Sequence, residues 1–225
     1  MTELALSAPL VLTAGLFGLE SANLAITHMK VSQSSMMIAD NASRIGDETL
    51  LQDRRIYEID VTDLMRGADL QMGEQLDIFQ HGRVVLSSLE TDPDDDAEAQ
   101  QYIHWQRCMG KLKYEPQFGK EGDGKGDPSF TGMGPSGEEV MAPPGGAVIF
   151  VEVAYEYQPI ITDAFISDRI ITTYGSFIVR ESRDLREIYQ KNPLLPDDPA
   201  TCDKYERFRT HESPRRESGG WDWKF

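Results

Sequence analysis

Between Leu4 and Leu19 the chain reads LALSAPLVLTAGLFGL without one charged residue, and no other feature restricts its fold as strongly. The helical pattern continues through Glu20 and Asn23 to Ile26, about the length needed to cross a hydrocarbon layer of roughly 30 Å at roughly 1.5 Å per residue. A secretory signal peptide would put Lys or Arg before the apolar run and a small-x-small site after it, whereas Met1, Thr2 and Glu3 precede this one. The segment therefore reads as a membrane-spanning helix. Its continuation, ITHMKVSQSSMMIADNASRIGDE, places Val31, Ile38, Ala42 and Ile45 on one helical face, so the helix is expected to leave the membrane and dock on a folded domain. Pro9 removes a backbone hydrogen bond and predicts a kink. Ser7, Ala8, Gly15, Gly18 and Ala22 would admit a second helix at close range. Glu20 ends the run with Asn23, Thr27 and His28 close behind, which places it at the water boundary more readily than in an intramembrane pair.

With 225 residues and 40% hydrophobic content, what remains after a membrane segment fills one domain of ordinary size. The formal net charge of -16 argues against a nucleic-acid partner, because neutralising phosphates requires a basic face. Cys108 and Cys202 belong to no CxxC or Cys/His cluster, so zinc spacings are absent. They form one disulfide or remain two buried thiols, and the membrane segment favours the bond through the oxidising compartment it implies.

Three divisions follow: a membrane-spanning and amphipathic helix over 1–46, an extracytoplasmic α+β domain over 47–191, and a polar tail over 192–225 without periodicity. Within the domain, VTDLMRGADLQM reads as a helix with Asp60 and Asp63 near its start and Gly73 at its end. LDIF and RVVLSSLE read as a hairpin turning at Gln80-His81-Gly82-Arg83. The run TDPDDDAE lacks the spaced ligands and Gly of an EF-hand and reads as a solvated loop.

QYIHWQRC alternates as a strand, with Ile103 and Trp105 on one side and Tyr102, His104 and Gln106 on the other. Residues 118–146 are too rich in Gly and Pro to hold an element, and GDGKGDPS lacks the spacing of a phosphate-binding loop. AVIFVEVAYEYQPI is the strongest strand, with Ile149, Val151, Val153, Tyr155 and Tyr157 on one face and Glu152 and Glu156 on an outer, solvated one. RIITTYGSFIVR completes an antiparallel sheet of about five strands, covered on one face by the long N-terminal helix.

The sequence carries no recognisable catalytic constellation: His28, His81, His104 and His211 lie on unlike elements, and GxSxG and HExxH are absent. The chain is expected to be structural rather than catalytic, with no cofactor and no metal.

The segment TELALSAPLVLTAGLFGLESANLA resembles the N-terminus of TadE/TadG-like proteins of the Tad (Flp) pilus assembly system, through Glu3-Leu4-Ala5-Leu6, Pro9, the Leu-rich run and Gly18-Leu19-Glu20. VSQSSMMIADNASRIGDE, the stretch from Gln100 to Cys108, GMGP, APPGGAVIFVEVAYEYQP and the late Cys202 are similar to the alphaproteobacterial members. The order of these motifs carries the resemblance, which covers most of the chain. It implies a pilin-like fold and a bitopic inner-membrane protein with a cytoplasmic N-terminus. It further implies that the protein acts as a minor pilin or pseudopilin beside other pilus assembly proteins and pilins. Glu3 would match the glutamate near the start of pilin-like helices, which pairs with a neighbouring subunit's N-terminus. A prepilin peptidase site would put basic residues and a Gly five positions before Glu3, where only Met1 and Thr2 stand. Gly15 has that spacing to Glu20, but cleavage there would discard most of the apolar run. The alternative reading is a membrane-tethered envelope binding module or hydrolase with the Gly-rich loop as a lid.

Overall fold

The structure, a computed structural model, describes residues 2–46, 54–73, 76–92, 100–161, 169–180 and 183–205, with side chains from residue 7 onward. It is an α+β fold in which one long helix packs on a four-stranded antiparallel sheet. Helix α1 spans Thr2–Ala42 and runs without interruption past Pro9. The stripe read from the sequence is its docking face: Val31, Ile38 and Ala42 are fully buried and Ile45 packs against the same cluster. Helix α2 (Glu58–Met72) buries Val61, Met65 and Ala68, and the Asp60 carboxylate accepts the Tyr57 N–H at 3.1 Å to cap its first turn.

The strands are β1 (Gly82–Thr91), β2 (Gln101–Met109), β3 (Ala147–Glu156) and β4 (Ile170–Ile178), in the order β2-β1-β3-β4. The sheet has one strand fewer than expected because LDIF is not a strand. Ile78–His81 forms a single helical turn, α3, with Ile78 and Phe79 in the core, and it delivers the chain into β1 at Gly82. Alternation cannot separate a short apolar helical turn from a strand. The hairpin partner of β1 is therefore β2, reached across the acidic run, whose residues 93–99 lie outside the described set.

A β-bulge between Ser88 and Leu89 also breaks the expected alternation of β2. Leu89 pairs with Ile103 and Ser88 with Trp105, so His104 is the extra residue. Trp105 consequently joins the inner cluster beneath α1 and α2, while Ile103 joins a second cluster on the opposite face with Leu89, Val148 and Phe150.

The Gly/Pro-rich segment between β2 and β3 folds over that second face. Met133 is fully buried and pairs with Val140, and Phe118 meets Phe150 and Tyr174 edge-on at 5.5 and 5.6 Å. The outer face of the sheet is thus covered by its own chain. Gly124 shows how closely: a Cβ there would lie 2.3 Å from the Gln101 carbonyl oxygen, and its φ of 90° is a conformation that L side chains rarely adopt.

Candidate functional site

Residues Ser7 to Leu19 of α1 are exposed, whereas the second half of the same helix covers the sheet. From Ser7 to Ala42 the helix is long and apolar enough to cross a membrane, with a mean hydropathy of 1.4 in its most apolar stretch and 6% of that stretch buried. Leu10, Val11, Leu12, Phe17 and Leu19 are each more than half exposed, a surface a water-soluble helix would have to hide. The local backbone is held in part by Thr13, whose hydroxyl donates to the Pro9 carbonyl at 2.7 Å. Gly15 and Gly18 face open space among the described residues, which leaves room for a partner helix to approach. Glu3 lies in the helix, but its side chain is outside the described set.

The change from exposed to docked occurs at Glu20. Its carboxylate is fully buried, accepting hydrogen bonds from the Tyr157 hydroxyl and from the Ile161 N–H at 3.0 Å. Asn23, one turn on, donates to the Tyr157 oxygen at 2.7 Å. Glu20 therefore does not face water; it ties α1 to the segment that follows β3. The register of α1 on the sheet is set further along, where Thr173 Oγ1 donates to the Val31 carbonyl at 3.3 Å and Gly175 abuts Ser35 and Met36. A Cβ at Gly175 would come within 3.0 Å of the helix backbone. Both pairs advance together, so α1 runs parallel to β4, in line with the strands.

Charged groups that the sequence did not single out are buried on the inner face. Arg107 of β2 forms a bidentate pair with Glu58 at the start of α2, at 2.5 and 3.0 Å, and also reaches Glu121 at 3.0 Å. Burial opposes the charged guanidinium, but Glu58 and then Glu121 outweigh it, and the Arg107 pKa is raised. The β-bulge brings His104 Nδ1 to 2.9 Å from Glu90, whose other oxygen accepts the Ser88 hydroxyl at 2.7 Å. Desolvation works against the imidazolium, yet the hydrogen bond and charge of Glu90, with Glu121 adding, raise His104 above its ordinary value. A serine, an acid and a histidine meet here in the wrong order for nucleophilic catalysis. The carboxylate stands between the other two, so the imidazole cannot take the serine proton.

On the outer face, Glu152 is not solvated as its alternation suggested; it is 2% exposed beneath the covering loop. One oxygen accepts the Gln117 N–H at 2.9 Å and the other has no hydrogen-bond partner. Burial raises its pKa above the ordinary carboxylate value. No group of three or more His, Cys, Asp or Glu residues suited to a metal ion occurs among the described residues.

The C-terminal segment is part of the domain as far as residue 205. Cys108 and Cys202 form a disulfide with their Cα atoms 4.7 Å apart, and the Cys108 N–H donates to the Ala200 carbonyl at 2.7 Å. Arg83, expected at a hairpin turn, is fully buried, donates to the carbonyls of Cys202 and Lys204 at 2.5 and 3.0 Å, and lies over the Tyr205 ring at 4.0 Å. Residues 206–225 lie outside the described set. No family model matches the chain, and no similar curated protein or solved structure is found, so the functional reading rests on its geometry and residues.

Proposed function

We propose that the chain is a bitopic inner-membrane protein of a Tad (Flp)-type pilus assembly system, a structural minor pilin or pseudopilin with its domain in the periplasm. The observation that carries this reading is the division of α1 into two functions. Its first half presents an exposed apolar surface among the described residues, and its second half is the lid of an antiparallel sheet. A helix so divided can anchor a subunit in lipid and present its domain to neighbours in one fixed direction.

Two further features support it. The disulfide fits an oxidising compartment such as the periplasm. The two edges of the sheet also differ: β2 is covered by residues 122, 123 and 200, while β4 is the terminal strand on the other side. Ile170–Ile178 carries no charge and no proline, the residues with which lone sheet edges are normally protected. A subunit that packs against others uses such an edge.

The test is deletion of the gene with complementation in trans, counting surface fibres by electron microscopy and fractionating the tagged protein. Loss of fibres that complementation restores, with the protein in the inner membrane or in sheared fibres, supports the proposal. Unchanged fibre numbers would favour the envelope binding module instead.

A further inference from the structure

Several separate segments meet at the end of the domain from which α1 emerges. The sheet register places the start of β1 beside the end of β3 through Gly82 and Tyr155, the end of β2 beside β1 through Met109 and Val84, and the start of β4 beside Glu156 through Ile170. Lys111 and Leu112 close this end by donating their N–H groups to the carbonyls of Phe79 and Gly82. The chain leaving α2 arrives at the same end, since it passes Gly73 and Leu76 to reach α3. Glu20, bonded to Tyr157 and Ile161, marks where α1 departs. Because α1 runs in line with the strands, a bilayer crossed by its first half would face this end squarely.

The surface of this end differs from the rest of an acidic protein. Three large apolar side chains from three segments stand out of it: Leu70 at 82% exposed, Ile160 at 66% and Ile170 at 48%. Lys111, Lys113 and Arg169 are exposed around them. Among the described residues, the carboxylates of Asp69, Asp77 and Glu156 nearby are half-buried, exposed Glu115 is paired with Lys120 and the Tyr205 hydroxyl, and exposed Asp203 stands next to Lys204 on the tail. In a chain of formal charge -16, this is an apolar rim with exposed cations.

We infer that this end of the domain rests on an anionic lipid surface, with Leu70, Ile160 and Ile170 at the boundary of headgroups and acyl chains and Lys111, Lys113 and Arg169 against lipid phosphates. The inference rests on the membrane-spanning reading of α1 and extends it, because α1 fixes the domain relative to the helix but not the tilt of the two together against the bilayer. Apolar side chains gain from partial burial at that depth, and cations near an anionic surface are attracted to it over about a Debye length. The bilayer is the fitting occupant because α1 already brings this end to it and the exposed Lys111, Lys113 and Arg169 are complementary to anionic headgroups.

The full chain, reconstituted into vesicles of phosphatidylcholine and phosphatidylglycerol, tests this with an environment-sensitive thiol probe. The native cysteines are tied up in the disulfide, so single Ile160→Cys, Ile170→Cys, Met141→Cys and Leu10→Cys variants label selectively. Met141 lies at the opposite end, next to Ala142, which is bonded to Gln101 at the start of β2. The expected result is blue-shifted emission at 160 and 170, quenched by headgroup-level spin-labelled lipid, with water-like emission at 141 and deep acyl-chain quenching at 10. In the 160 probe, K111E/K113E/R169E is expected to lower quenching on anionic vesicles to the level on neutral ones. Water-like emission at 160 and 170 with a deeply quenched probe at 10 overturns this inference alone. Absence of deep quenching at 10 overturns the membrane-spanning reading and this inference with it.

Discussion

The carboxylate of Glu20, near the middle of α1, is buried against the hydroxyl of Tyr157, which lies just beyond the end of β3. The two are far apart in sequence, and their hydrogen bond sets where the helix stops being part of the domain. Tyr157→Phe would leave Glu20 with the Ile161 N–H and strand its second oxygen. A loss of about 1–3 kcal/mol in denaturant unfolding of the full chain in detergent is expected, with earlier proteolysis near residue 161. Glu20→Gln keeps an acceptor oxygen and should lose less. Equal losses in both would show that the junction depends on the carboxylate charge as much as on the hydroxyl that binds it.

The Arg107–Glu58 pair ties β2 to the first turn of α2 out of solvent. Arg107→Met removes the cation and leaves Glu58 buried and uncompensated, which should destabilise the domain by about 3–5 kcal/mol. Adding Glu58→Leu should recover most of that loss, since an apolar pair of similar volume avoids the desolvation of both charges. Urea midpoints of the wild type, both single variants and the double variant give the comparison, and a double variant no better than Arg107→Met would exclude the pair as the cause.

The Cys108–Cys202 disulfide closes a sequence separation of 94 residues and holds the tail that caps Arg83. Cys108→Ser/Cys202→Ser should cost about 2–5 kcal/mol, most of it through the larger freedom of the unfolded chain. Hydrogen exchange should also rise at residues 199–205 and at the Cys108 amide. Unchanged exchange there would mean that Arg83 holds the tail without the bond.

Glu152 should give the domain a specific pH dependence. Its folded pKa lies above the ordinary 4.5, so the folded state holds the proton more tightly than the unfolded one. Its contribution is therefore fully present below the unfolded value and is lost as pH rises through the folded value. Glu152→Gln stays neutral throughout. It should match the wild type at pH near 4 and exceed it by about 1–2 kcal/mol at pH 8, where the wild type buries a charged oxygen without a partner. Parallel unfolding curves across that range would count against a buried, proton-holding carboxylate.

Much of the architecture is written locally. The uncharged run before Glu20, the stripe of Val31, Ile38 and Ala42, the Gly73 stop of α2 and the alternation of β3 follow from helix and strand periods, which neighbours along the chain enforce. The sequence by itself therefore determined the apolar helix, its docking face and the α+β class.

Tertiary structure alone decided which polar groups are hidden. Alternation assigned Glu152 to a solvated face because a strand's period says nothing about what a remote loop lays over it. Arg83 and Arg107 are buried because Cys202 and Glu58, distant in sequence, bring acceptors to them. The His104–Glu90 pair exists because one extra residue in β2 shifts the pleat. In each case the deciding energy is the desolvation of a charge against the partner that compensates it, and that partner is supplied by the fold rather than by neighbouring residues.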